Sequence, residues 1–97
     1  MHATMFRIDL HEICSVRERG QAGRSLATEL GALRGFIAFI AFEAGEGHIA
    51  GLWISDDLTT LDDGWRVAAQ WQREHAGTSA SDIQLIATGK VIVQRGL

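Results

Sequence analysis

From Met5 to Ile13 apolar and polar residues alternate with a period of two, with Phe6, Ile8 and Leu10 on one face and Arg7, Asp9 and His11 on the other. That spacing predicts a first strand. Ser15-Val16-Arg17-Glu18 follows with serine and glutamate three apart, a capping box that opens a helix running to about Arg34. Ala22, Leu26, Leu30 and Leu33 form its apolar stripe, and Gly35 is its stop. A second strand spans Phe36 to Glu43, the cluster Ala44-Gly45-Glu46-Gly47 is a turn, and a third strand runs from His48 to about Ser55. Asp56-Asp57 and Thr59-Thr60 crowd the start of a second helix with caps and carboxylates suited to its positive end. That helix turns Leu61, Trp65, Ala68 and Trp71 or Gln72 inward and ends near His75-Ala76-Gly77. The fourth strand, Ile83 to Gln94, carries Gly89 as an expected bulge or bend.

The order βαββαβ within residues 1–97 predicts a single α+β domain, a ferredoxin-like four-stranded antiparallel sheet with both helices on one face. Strand two sets Phe36, Ala38, Ile40 and Phe42 against Ile37, Phe39 and Ala41; strand three sets Ala50, Leu52 and Ile54 against Ile49, Gly51 and Trp53. Both sides are apolar, whereas a half-solvated antiparallel sheet alternates apolar with polar. Strands about 20 Å long at about 4.8 Å spacing make a face of about 400 Å². A patch of that size marks an interaction site, and a second copy across a two-fold axis would cover it. A homodimer through facing sheets is expected.

Net charge is −3 with Arg and Lys scattered along the chain, so no nucleic-acid footprint is present. The third strand offers only Trp53 to a base, without the basic-glycine-aromatic signature of RNA-binding modules of the same element order. The lone Cys14 excludes an internal disulfide and a paired-cysteine metal site, which makes a reducing cytoplasm the expected setting. The longest apolar run, Phe36 to Phe42, is far short of the ~20 residues a membrane helix needs, so no membrane partner is expected.

Arg7, Asp9 and His11 are the polar row on the first strand. Facing an inter-sheet cavity they could orient a ligand or move a proton; facing water they are an Arg–Asp pair with a solvated histidine. Trp53 either walls a pocket or fills the core. Trp65 and Trp71 are six apart and cannot share one narrow stripe: either both pack, which is the default, or one faces the core and the other a cavity or partner. The four histidines have no metal-ligand spacing. Gly45 to Ala50 matches G-x-G-x-x-A, but it precedes a strand instead of opening a helix, so it is no dinucleotide site. Cys14 at a helix start has no evident base beside it.

The element order, the Gly35-Phe36 step into strand two and Trp53-Ile54-Ser55-Asp56-Asp57-Leu58 out of strand three together resemble the antibiotic biosynthesis monooxygenase-like family of dimeric α+β barrels. The usual proline before the glycine is absent, as the chain has none. The resemblance implies two subunits with facing sheets and a pocket between sheet and helices. It also implies, for some members, oxygenation of quinols or anthrones without metal or flavin, the substrate supplying the electrons. Trp53 matches the tryptophan that ends strand three in the family, while Ile49 stands where an asparagine is discussed. On this reading Trp53 and Phe39 wall the pocket, Asp9 or His11 takes a phenolic proton, and Arg7 holds the oxyanion. A second branch degrades haem; Trp65 and His75 resemble its helix-two pair, although the strand-one asparagine is missing. A third alternative is a non-catalytic binding or assembly module.

Overall fold

The structure is a computed structural model that describes residues 1–10, 16–45, 47–75 and 80–96. Its elements are β1 (His2–Leu10), α1 (Val16–Gly31), β2 (Phe36–Glu43), β3 (His48–Ser55), α2 (Leu58–His75) and β4 (Ala80–Lys90). The strands form one antiparallel sheet in the order β2-β3-β1-β4, the α+β ferredoxin-like arrangement that the element order predicts. β1 starts at His2 and not at Met5, because His2 has partners on both sides, Ser55 in β3 and Lys90 in β4. The expected end of the strand at His11 to Ile13, and Ser15 of the capping box, lie outside the described residues.

Helix α1 ends at Gly31, three residues before the expected stop at Arg34. The chain tightens there: Leu33 N–H donates to the Leu30 carbonyl and Phe36 N–H to that of Leu33. Gly35 then takes φ +90, which no side chain would adopt without strain. The junction is tied to the start of α2, since Asp56 N–H donates to the Gly35 carbonyl at 2.8 Å and the Thr60 hydroxyl to the Arg34 carbonyl at 3.1 Å. Asp57 caps α2 by accepting the Thr60 N–H at 2.8 Å, and these backbone and hydroxyl contacts hold its carboxyl below the usual range.

The helices lie on the face that carries Phe6, Ile8, Ile49 and Trp53, and Ala22, Leu26, Leu30, Leu61, Ala68 and Trp71 close over it. Trp71, rather than Gln72, is the fully buried member of the α2 stripe, its indole N–H donating to the Ser25 hydroxyl at 3.1 Å. Two irregularities change the expected faces. Ile37 is an extra residue in β2, opposite no residue of β3, so Phe36 joins Phe39 on the helix side instead of lining up with Ala38, Ile40 and Phe42. The central bulge in β4 falls at Ile86, not at Gly89, which pairs regularly with Ala3; the expected strand residues 91–94 lie beyond β4.

The sheet's other face is open. Met5, Ile40, Phe42 and Ile86 are all about half exposed on it, at 47%, 52%, 59% and 53%. Gly51 stands at the crossing of the two faces' demands. A Cβ there would fall on the Ile40 carbonyl oxygen and within 2.9 Å of the Phe6 ring, and neither the paired strand nor the buried ring can retreat. Gly51→Ala is therefore expected to cost about 3 kcal/mol, read as a lowered urea midpoint at unchanged slope.

Candidate functional site

A cavity of about 390 Å³ opens between α1 and the β2 edge of the sheet, lined by Gly20, Gly23, Arg24 and Ala27 of α1 with Phe39, Ala41, Glu43 and Ile49 below and Phe42 at the strand edge, where it borders both this cavity and the open face. Its walls are mostly apolar. Two glycines inside a helix each cost about 1 kcal/mol relative to alanine, so their presence on one face needs a reason. Close packing is not that reason at Gly23, where an added Cβ would meet nothing within 4 Å. The missing side chain leaves the space over Gly23 open to the cavity. At Gly20 the added atom would meet the Arg24 guanidinium at 3.2 Å, because Arg24 folds back one turn along its helix.

Four rings run from this cavity through the core. Phe39, on the cavity wall, stacks on Phe6 at 5.5 Å; Phe6 meets Trp53 at 5.4 Å; Trp53 stacks on Trp65 at 6.0 Å. Trp53, expected either as pocket wall or as core, is core: it is 1% exposed and lines neither hollow. Its indole N–H is buried without a hydrogen-bond partner among the described residues, and α2 passes so closely that a Cβ on Gly64 would sit 2.9 Å from that nitrogen. Trp65 is partly buried and walls a smaller hollow of about 220 Å³ with Thr4, Leu61, Leu85 and Thr88. The His75 side chain and all of His11 lie outside what is described.

Arg7 and Asp9 sit on the opposite, open face of the sheet, as the period of two demands. Sequence reasoning set them against the same ligand as Phe39 and Trp53; the sheet separates the two groups within a subunit. What Arg7 and Asp9 do meet is His48, which the β1–β3 register places directly across from Asp9. His48 Nδ1–H donates to Asp9 Oδ1 at 2.8 Å and Arg7 Nε–H donates to the same oxygen at 3.1 Å. Arg7 Nη2 lies 3.2 Å from His48 Nδ1 and 3.3 Å from Nε2, so the guanidinium stands over the ring, nearly equidistant from its two nitrogens. The group is about one-third exposed. Burial pushes the Asp9 carboxyl up, but the bonds and charges of His48 and Arg7 outweigh it and bring it below its usual value. Among the described residues no three His, Cys, Asp or Glu side chains are placed to share a metal ion, and no helix is long and apolar enough to cross a membrane.

The architecture has close counterparts among solved structures. One is a protein of unknown function from Nitrosomonas europaea, at TM-score 0.78 and 14% identity, covering 99% of this chain and 93% of that one. Another is a candidate antibiotic biosynthesis monooxygenase from Deinococcus radiodurans, at TM-score 0.76 and 12% identity over 100% and 98% of the two chains. The fold is that of the antibiotic biosynthesis monooxygenase-like proteins. The haem degrader MhuD from Mycobacterium tuberculosis, solved with two haems in its active site, shares it at TM-score 0.68 and 16% identity over 99% and 100%. No family model matches the chain, and neither does any curated protein.

Because the Asp9 carboxyl is held below 3.8, its contribution to stability is complete above that pH and disappears as the pH falls through the lowered value. Wild type should therefore exceed Asp9→Asn in urea midpoint at pH 7, and the gap should close progressively below pH ~4. A gap that persists unchanged at pH 2 would show that the His48–Asp9–Arg7 bonds do not depend on the carboxylate charge.

Proposed function

We propose that the chain acts as a homodimeric α+β barrel that binds a small aromatic molecule in the cavity under α1, and that it oxygenates an electron-rich quinol or anthrone there. The cavity carries this reading. It is apolar, walled by Phe39 and Ile49, and kept open by a glycine that serves no packing purpose. The monooxygenase name borne by proteins of the same fold directs the choice of chemistry to test.

In that chemistry dioxygen is the oxidant and the substrate the reductant: an anthrone methylene becomes a carbonyl and the second oxygen leaves as water. The protein's task is to hold the ring and take the first proton. Glu43, on the cavity rim, is the carboxylate positioned for that transfer. Arg7 and Asp9 take no part in this version, since the sheet lies between them and the cavity. With His48 they instead form the polar centre of the open face, which a second copy covers with its own Met5, Ile40, Phe42 and Ile86.

Two measurements test the proposal. Native mass spectrometry should give twice 10.6 kDa, falling to a single chain when Ile40 and Phe42 are both replaced by lysine. Gly23→Leu should project into the cavity and obstruct it, raise or hold the urea midpoint through its better helix propensity, and reduce anthrone-dependent oxygen uptake at least tenfold. A Gly23→Leu protein with wild-type uptake removes the cavity as the site. Binding of an anthrone without any uptake leaves a binding module in place of the oxygenase.

A further inference from the structure

We infer that the ligand of the α1 cavity is an aromatic anion, read by the guanidinium of Arg24. This rests on the cavity being the ligand site and adds the chemical class of what enters it.

The cavity floor is mostly apolar, so an aromatic body is accommodated by Phe39, Ile49 and the two alanines through packing. Its rim has two charges, Arg24 and Glu43. They are not equivalent. Glu43 already has an interaction of its own. Arg24 has no ion pair among the described residues, yet its side chain is not free to point anywhere: it lies back along α1 over Gly20, at the mouth of the cavity. Gly20 leaves the guanidinium room to lie close against the helix, since a Cβ there would stand 3.2 Å from Arg24 Nη1 and press it outward by a few tenths of an ångström. A cation thus rests over a glycine at the edge of an apolar hollow. A planar donor fork beside an apolar wall is complementary to a ring bearing a carboxylate, sulfonate or phenolate. The chain's net charge of −3 works against anions at long range, so any preference for one must come from a local group.

Two probes of the same skeleton isolate the charge: 8-anilinonaphthalene-1-sulfonate and its neutral parent, N-phenyl-1-naphthylamine. Fluorescence titration of the full chain should show the sulfonate binding about tenfold more tightly than the neutral probe at low salt. Arg24→Gln should bring that ratio toward one, and Arg24→Lys should restore part of it. Because Arg24 is exposed, both variants should keep the wild-type urea midpoint, which separates a binding effect from a folding one. Equal binding of the two probes in wild type, or a ratio unaffected by Arg24→Gln, overturns the inference while leaving the cavity in place. If neither probe binds, or if Gly23→Leu retains both, the cavity is not the ligand site and the inference falls with it.

Discussion

Two helices can cover one face of a four-stranded sheet and no more. From that limit the rest of the molecule follows. The covered face takes the large rings and the aliphatic residues of β1 and β3, and it closes over them almost completely. The uncovered face keeps Ile40, Phe42, Met5 and Ile86 in the open, beside the mutually bonded Arg7, Asp9 and His48. Apolar residues in such numbers on a solvent face gain nothing for an isolated chain, and they are the surface on which the proposed second copy would sit.

The cavity reflects a different compromise, made inside α1. Alanines at positions 20 and 23 would make a better helix. The glycines present there weaken it and in return leave space above Phe39 and room for Arg24 to lie back. Helix stability and cavity volume are in direct competition at these residues, which is the usual signature of a site kept for use rather than for folding. The open-face cluster has a different character: its three side chains, Arg7, Asp9 and His48, bond to one another.

Much of the fold was legible because it rests on periodicity. The bounds of β2 and β3 follow from alternation and a glycine-rich turn, and the α2 stripe from its spacing. What escaped depends on contacts between distant segments. The extra residue at Ile37 leaves no mark in the pattern, because Phe36 and Ala38 are both apolar whichever way they face. His48, a lone histidine at a strand start without metal-ligand spacing, carries no signal of its own and acquires its meaning only from standing across from Asp9. Combining the hairpin with β1–β3 pairing would have found it. The cavity's signal was present as glycines within a helical stripe, but glycine in a helix reads as a weakness until the space above it is seen.

The strand order β2-β3-β1-β4 also bears on how the protein comes into being. The first half of the chain supplies β1 and β2, the second half β3 and β4, and every ladder joins a strand of one half to a strand of the other. Neither half contains a sheet. During synthesis β1 must wait for β3 before it has any neighbour, and its second edge is satisfied only when β4 arrives. The chain emerges from the ribosome with a helix and unpaired strands, and it acquires its core nearly all at once.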